Sequence, residues 1–202
     1  MTWVVVLIKD FAHAKQRLRP ALTPPERRRL AERNARLALA AARAGDHVLA
    51  VCAGDDGAAL AREAGVEWIR EELPEGQNAA AQRGILRAME DGAGAVLLLS
   101  SDLPLITAEA VRDLLQAARA MGSPAVLAAP ATGRGGTNAL YLSPPGVINL
   151  HFGDDSLRKF EQDASGRGVP FALHERESLA LDLDEPGDLE ELARTAPDRP
   201  PA

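Results

Sequence analysis

Residues Ala95–Leu105 read AVLLLSSDLPL, and this segment determines how the rest of the chain is interpreted. Its first five residues are apolar without interruption, as in a strand that is buried on both faces of a sheet. Asp102 follows the apolar run closely, and a helical pattern begins near Thr107. The segment therefore predicts a buried strand with a carboxylate at its carboxyl end.

Five further short apolar runs alternate with segments of helical period. The runs are Trp3–Ile8, Val48–Cys52, Val66–Ile69, Ala125–Ala129 and Ala139–Leu142. This alternation predicts βαβ units, and so an α/β fold with a mostly parallel sheet and helices on both faces. Ligands of such sheets bind beyond the carboxyl ends of the strands. The residues that follow each run are therefore the candidates for function.

The composition predicts one packed domain. The chain has 202 residues, of which 46% are hydrophobic and 26% charged, and this size suits a single core. We expect the domain to span residues 1–194 and residues 195–202 to form a flexible tail. A net charge of −6 argues against a nucleic-acid partner. The basic cluster Arg27–Arg29, with Arg33 and Arg36, is interpreted as the solvated face of a helix.

Three features predict a cytoplasmic protein with no membrane partner. No stretch approaches the ~20 apolar residues of a membrane span, and no basic segment precedes the apolar run at Trp3 as in a secretory signal. Cys52 is the one cysteine, which excludes an internal disulfide and suits a reducing compartment. Its position in an apolar run indicates a small buried side chain rather than a nucleophile.

A second acidic segment lies near the end of the chain, where leucines alternate with Asp182 and Asp184. The alternation points both carboxylates to the same side of an extended segment, where a cation would relieve their repulsion. With Asp102 they predict a site for Mg²⁺ and phosphate oxygens. Helix capping remains the alternative, by Asp102 near Thr107 and by Asp184 or Glu185 before the helix that begins at Pro186.

The loop after the first strand is basic. Lys9, Lys15 and Arg17 suit the phosphates of a nucleoside triphosphate, although basic loops without a ligand are common. The sequence contains no Walker A motif, and no G-x-G-x-x-G follows a strand. Neither a P-loop enzyme nor an NAD-binding domain is therefore indicated.

Two glycine-containing segments predict a second anion pocket. Gly133–Asn138 follows an apolar run, and Phe152–Ser156 begins a helical segment. Glycines let backbone N–H groups approach an anion, a helix N-terminus adds donors, and Thr137 and Ser156 add hydroxyls. Glu75–Asn78 suits hydrogen bonding to a base, although a helix N-cap at Asn78 explains that segment equally well.

Together these segments resemble the phosphoenolpyruvate/2-phospho-L-lactate guanylyltransferases, a family that makes the guanylylated precursor in deazaflavin coenzyme F420 biosynthesis. The resemblance spans about residues 4–189. It rests on Ile8–Leu18, Gly76–Ala79, Asp102–Leu105, Gly135–Leu140, Phe152–Ser156 and Leu181–Pro186.

The resemblance implies a three-layer, nucleotidyltransferase-type Rossmann-like fold with a mixed, mostly parallel sheet. It also implies transfer of GMP from GTP to the phosphate of phosphoenolpyruvate, 2-phospho-L-lactate or 3-phosphoglycerate, with release of pyrophosphate. The residues that it assigns to GTP are Lys9, Lys15 and Arg17 at the phosphates, and Gly76, Gln77 and Asn78 near guanine. Those that it assigns to the acid are Thr137, Gly153 and Ser156, with Gly136 and Asn138 in the same motif. Those that it assigns to Mg²⁺ are Asp102, Asp182 and Asp184.

The chain departs from the family pattern on the nucleotide side, where Gln77 replaces a leucine and no proline precedes Lys9. Two other functions stay open. One is that of another nucleotidyltransferase of this fold, resembling molybdenum-cofactor guanylyltransferases, although the loop after the first strand lacks their glycines. The other is that of a nucleotide-binding module without turnover. An aliphatic helix face could form a homodimer interface as readily as a core.

Overall fold

A computed structural model describes residues 1–73, 75–133 and 135–196. Within these ranges the chain forms a seven-stranded sheet flanked by helices. The strands are β1 Thr2–Ile8, β2 His47–Cys52, β3 Glu67–Arg70, β4 Ala95–Ser100, β5 Ala125–Pro130, β6 Thr137–Ser143 and β7 Phe171–Leu173. The α-helices are α1 Pro24–Ala42, α2 Asp55–Glu63, α3 Gln77–Glu90, α4 Ala108–Ala120, α5 Ser156–Gly166, α6 Glu177–Ala180 and α7 Pro186–Thr195. A 3₁₀ helix spans Gln16–Leu18.

The strands follow the order β3-β2-β1-β4-β6-β5-β7. β6 runs antiparallel to β4 and β5, and the other neighbouring pairs are parallel. The mixed, mostly parallel sheet implied by the sequence is therefore confirmed. β1 and β4 lie side by side near the middle of the sheet, so their carboxyl ends open at the same edge. Lys9 and Asp102 follow them there.

The side chains of β1 alternate between two cores, one on each face of the sheet. Val4 and Val6 pack in the core beneath α1, α2 and α4, while Val5 and Leu7 pack in the core beneath α3 and α5. Alternation with a period of two is the geometry of a strand, and apolar residues at every position bury both faces. The three-layer arrangement follows directly from these continuous apolar runs.

The two edges of the sheet differ from the sequence-based prediction. β3 begins at Glu67 rather than Val66, and it is not buried on both faces, since Glu67, Trp68 and Arg70 are exposed. The reason is that β3 is an edge strand with one neighbour. At the opposite edge, β7 is not predicted by the sequence because its three residues are partly exposed.

The basic cluster of α1 is not a uniformly solvated face. Arg27 is buried, and its guanidinium donates to the backbone carbonyl of Leu22 over 2.8 Å. The prediction was wrong for Arg27 because this guanidinium satisfies a carbonyl just before the helix. Arg28 pairs with Asp56 of α2 at 2.9 Å on the surface. Farther along, Thr195 ends α7, and residues 197–202 of the expected flexible tail lie outside the described residues.

Candidate active site

Two adjoining cavities open at the carboxyl ends of β1 and β4. The β1–α3 cavity has a volume of about 330 Å³, and its lining combines aliphatic side chains with the charged groups of Lys9, Asp10, Lys15 and Glu71. The β6–α5 cavity has a volume of about 230 Å³ and is strongly polar in its lining. Lys9, Gln77 and Ser100 line both cavities, so a ligand in one can meet a ligand in the other there.

Asp102 is the centre of an ion-pair cluster between these cavities. Its Oδ2 lies 2.8 Å from the Nζ of Lys9, and its Oδ1 lies 2.7 Å from the Nζ of Lys15. Burial alone would raise the pKa of Asp102, but Lys15 and Lys9 outweigh it and hold the pKa well below its usual range. The pKa of Lys9 is raised, chiefly by the charge of Asp102. Asp102 is therefore a charged carboxylate at neutral pH.

The backbone around Asp102 is held from two sides. The side chain of Asn34, fully buried on α1, donates to the Asp102 carbonyl over 3.4 Å, and so does the backbone N–H of Leu183. Thr107, rather than Asp102, accepts from the N–H of Ala110 as the N-cap of α4. Asp102 therefore does not cap α4, and the capping alternative is wrong for this residue.

The acidic segment adopts the alternation expected from its sequence, although it is an irregular segment between α6 and α7 and not a strand. Leu181 and Leu183 are buried in a small apolar cluster against Leu18 of the 3₁₀ helix and Leu30 of α1. The intervening aspartates at positions 182 and 184 line the β6–α5 cavity. Burial of the two leucines thus determines which way the carboxylates point.

Glu185 is the N-cap residue of α7, which leaves Asp184 for the cavity. The backbone N–H groups of Asp184 and Glu185 both donate to Asp188 over 2.8 and 2.7 Å. The carboxylate of Asp184 contacts the buried Nζ of Lys15 at 3.3 Å. Lys15 therefore joins Asp102 and Asp184 in one cluster.

The residues present fit Mg²⁺ that is bound jointly with substrate. The charged residues described in the lining of the β6–α5 cavity are Lys9, Arg17, Asp102, Asp154, Asp182 and Asp184. This acidic excess would repel a phosphorylated acid unless a further cation entered. In the described ranges, no group of three or more His, Cys, Asp or Glu could by itself hold a metal. Mg²⁺ suits such a site, because it takes one or two carboxylates and completes its shell with water and phosphate oxygens.

The predicted anion pocket forms the other wall of the β6–α5 cavity. Thr137 begins β6 and Ser156 begins α5, and the Ser156 hydroxyl donates to that of Thr137 over 3.0 Å. Gly153, with a φ of +120° that side chains rarely adopt, and Gly136 line the same cavity. Two buried hydroxyls beside a helix N-terminus can bind an anion.

Asn138 and Asn78 place backbone segments of the site. The Asn138 side-chain amide donates to the carbonyls of Leu179 and Ala180 over 2.9 and 3.0 Å, just before the acidic segment. Asn78 lies within α3, whose N-cap is Gly76, and its amide exchanges two hydrogen bonds with the backbone of Phe152. An N-cap role for Asn78 is thus contradicted. These hydrogen bonds connect α3, which lines the β1–α3 cavity, to Phe152, which lines the β6–α5 cavity.

Arg17 and Gln77 occupy the mouths of the cavities. Arg17 lines the β6–α5 cavity with a largely exposed side chain, which pairs with Glu185 at 3.2 Å. Gln77 is the first residue of α3, where it faces both cavities. Asp10 and His13 line the β1–α3 cavity as well, and so does the buried Glu71. Sequence reasoning missed Glu71, although its position directly after β3 is the signal that would have found it.

The loop that carries Phe152 and Gly153 is anchored by Asp163 of α5. The carboxylate of Asp163 accepts from the backbone N–H of Asn149 over 2.8 Å, and it pairs with His151 at 3.1 Å and Arg167 at 2.6 Å. Burial alone would raise the pKa of Asp163, but these hydrogen bonds lower it to about 2. The loop is therefore held by a charged hydrogen-bond network.

Substitution Asp163→Asn is expected to lower the free energy of unfolding by about 1–2 kcal/mol at pH 7, because a charged acceptor of three donors is lost. A depressed pKa stabilises the fold above the unfolded pKa of about 4, and the benefit is lost as pH falls toward the folded value. The difference between the two proteins in urea unfolding should therefore shrink from pH 5 to pH 2. Asp91→Asn, which removes a surface pair with Arg87, is the control; an equal effect there would contradict the role of Asp163.

The chain matches the family model described as guanylyl transferase CofC like over residues 2–198. The phosphoenolpyruvate guanylyltransferase of Rubrobacter xylanophilus is 39% identical over 192 residues, which cover 94% of this chain and 92% of that protein. The 2-phospho-L-lactate guanylyltransferase of Methanothermobacter thermautotrophicus is 35% identical over 192 residues, which cover 95% and 83%.

A solved nucleotidyl transferase from Methanothermobacter thermautotrophicus superposes with a TM-score of 0.64 at 16% identity, covering 96% of this chain and 97% of that one. At this identity the likeness concerns the fold, and it confirms the nucleotidyltransferase-type architecture. Among the helices described, none has both the length and the apolar character needed to cross a membrane.

Proposed function

This chain belongs to the CofC-like guanylyl transferase family, and from that premise we propose that it transfers GMP from GTP to the phosphate of a small phosphorylated carboxylic acid in coenzyme F420 biosynthesis. The acids considered are phosphoenolpyruvate, 2-phospho-L-lactate and 3-phosphoglycerate. The observation that carries the proposal is the junction of the two cavities at Lys9, Gln77 and Ser100. It lets two anionic substrates meet beside Asp102.

The two cavities suit different parts of the reaction. The β1–α3 cavity suits a nucleoside, whose base would lie against the aliphatic side chains and whose phosphates would extend toward Lys9 and Lys15 in the lining. The β6–α5 cavity suits the acid, whose phosphate would contact the hydroxyls of Thr137 and Ser156. In this arrangement the acid's phosphate would approach the α-phosphorus of GTP from the β6–α5 cavity, which Asp102 lines.

We propose a direct in-line displacement. An oxygen of the acid's phosphate forms a new bond to the α-phosphorus of GTP, and the bond from that phosphorus to the β-phosphate oxygen breaks. Pyrophosphate leaves with the electron pair of the broken bond. A phosphate dianion is already nucleophilic and needs no general base, so the residues position the substrates and neutralise charge. The buried thiol of Cys52, its pKa raised by burial to about 12, takes no part.

Mg²⁺, when bound, would neutralise charge on the α-phosphate and the leaving pyrophosphate. Asp102 and Asp184, which already converge on the ammonium of Lys15, are the carboxylates that we expect to hold it, with Asp182 beside them. Lys9 and Lys15 would hold the remaining phosphate oxygens as point charges. We place this activity in the cytoplasm, in keeping with a single buried, unpaired cysteine.

Pyrophosphate release from each of the four nucleoside triphosphates, measured with each of the three acids, tests the proposal. We expect release with GTP and at least one acid, and a fall of more than about 10³-fold when a chelator removes divalent cations. Restoring Mg²⁺ should restore the rate. Release that continued in chelator would contradict the role of the metal.

The same assay separates the other two functions. A non-catalytic module would bind GTP without releasing pyrophosphate with any of the acids. A nucleotidyltransferase with a different acceptor would likewise leave these acids unreacted, but it would release pyrophosphate once its own acceptor was added. The hydroxyl pair of Thr137 and Ser156 favours a phosphorylated acceptor.

A further inference from the structure

The β1–α3 cavity contains one buried carboxylate that the proposed chemistry does not use. Glu71 follows β3 directly, and its backbone N–H donates to the carbonyl of Cys52 over 2.9 Å, which continues the pairing with β2. Its side chain is 3% exposed and lines the cavity. It is separated in sequence from Lys9 and Asp102, and it belongs to the wall formed by the outer strands rather than to the ion-pair cluster.

Arg83 of α3 holds the Glu71 carboxylate in place. The Nη1 of Arg83 donates to Oε1 of Glu71 over 2.7 Å, and its Nη2 donates to Glu75. Burial raises the pKa of Glu71, and the charge of Arg83 opposes that rise. A carboxylate offers about four acceptor positions, and this contact uses one. Glu71 therefore retains acceptor capacity beside the cavity.

The rest of the wall explains what such a carboxylate could recognise. Leu7, Val51, Ala53 and Ala80 line the same cavity and are suited to the faces of a flat ring. A volume of about 330 Å³ suits a nucleoside. A buried carboxylate beside such a space selects a ring whose edge carries N–H donors. A ring that places an acceptor there would leave both the carboxylate and the ring acceptor without a hydrogen-bond partner.

We propose that Glu71 is the residue that selects guanine, by accepting hydrogen bonds from its N1–H and its 2-amino group. The inference rests on the proposed function. Two parallel donors on the guanine edge match the two oxygens of a carboxylate. Adenine presents the acceptor N1 at the same place, and cytosine the acceptor N3, so either base would face the carboxylate with a lone pair. Uracil carries a single N–H donor between two carbonyls.

The substitution Glu71→Gln tests the pairing by chemistry. A glutamine amide offers one acceptor and one donor, which match the N1–H and the 2-carbonyl oxygen of xanthine and not the two donors of guanine. We expect kcat/KM for GTP to fall by about 10²-fold or more and that for XTP to rise, so that XTP becomes the better substrate. Unchanged relative activities with GTP and XTP would overturn the proposal.

Glu67→Gln is the matched control, because Glu67 of β3 likewise pairs with an arginine of α3, Arg87 at 2.8 Å, but does not line the β1–α3 cavity. It should leave the ratio of GTP to XTP activity unchanged. The unaltered protein supplies a second test that does not depend on folding of a variant. ITP, which lacks the 2-amino group, should react about tenfold less efficiently than GTP, and 1-methyl-GTP should be rejected more strongly. Equal use of 1-methyl-GTP and GTP would overturn the proposal.

Binding separates a failure of this inference from a failure of the proposed function. A GTP analogue with a methylene group between the α- and β-phosphorus cannot be turned over, and its affinity is measured by calorimetry. If no acid supports turnover, the proposed transfer is wrong, but tighter binding of this analogue than of its inosine counterpart would still support Glu71. Equal binding of the two analogues would overturn the assignment of Glu71 whether or not turnover occurs.

Discussion

The substitution Asp102→Asn is expected to abolish turnover, lowering kcat/KM for GTP by at least about 10³-fold. Asp102 is the carboxylate on which Lys9 and Lys15 converge, at 2.8 and 2.7 Å. An asparagine would occupy the same volume but lose the charge that attracts a divalent cation. The affinity for Mg²⁺, titrated in the presence of the non-reacting GTP analogue, should therefore fall together with the rate.

Stability must be measured alongside, because the substitution leaves the buried ammonium of Lys15 with only the longer 3.3 Å contact to Asp184. Breaking a buried ion pair commonly costs about 3–5 kcal/mol, so unfolding in urea should show a marked loss. Rates are compared at a temperature where circular dichroism shows both proteins to be folded. Asp56→Asn, which removes a surface pair with Arg28, is the control and should keep full activity. A folded Asp102→Asn protein with a tenth of the normal kcat/KM would contradict this role for Asp102.

The central part of the fold could be predicted from the sequence because the pattern there is strong. A short, continuous apolar run such as Ala95–Leu99 is typical of a strand that is buried on both faces of a sheet. The alternation at residues 181–184 likewise predicted the direction of both aspartates, since burial of the leucines determines it. At the edges, β3 was predicted as a strand but not its exposure, and β7 was not predicted, because one neighbour gives an edge strand little apolar surface to bury.

Contacts between distant parts of the chain could not be predicted in the same way. The sequence placed Lys15 in a basic loop, but its burial between Asp102 and Asp184 depends on the packing of segments separated by 169 residues. Asn138 lines the β6–α5 cavity, as expected for a residue at the acid, but the contact of its amide with the backbone before the acidic segment was not predicted. Glu71 follows a strand, which is a signal in the sequence, but its burial depends on the contact with Arg83 of α3. Spacing identified the elements of the site, and tertiary packing determined their partners.

Lys15→Met is expected to give the second large effect, and it separates catalysis from metal binding. The side chain of Lys15 is 1% exposed, and its Nζ lies 2.7 Å from Asp102 and 3.3 Å from Asp184. We expect kcat to fall by about 10²–10³-fold, because a positive charge that neutralises the phosphates is lost. Methionine is unbranched and only one atom shorter than lysine, so the substitution removes the charge with a small change in volume.

The same change should move the affinity for Mg²⁺ in the opposite direction from Asp102→Asn. The ammonium of Lys15 pairs with the carboxylates of Asp102 and Asp184, which a metal ion would use. Without Lys15, the negative charge of these carboxylates is offset less, so they should attract Mg²⁺ more strongly. In the absence of nucleotide, the folded Lys15→Met protein should bind Mg²⁺ about tenfold more tightly, while Asp102→Asn binds it more weakly. Weaker Mg²⁺ binding by Lys15→Met, as with Asp102→Asn, would contradict this prediction. It would indicate that Lys15 positions the two aspartates for the metal and does not compete with the metal for them.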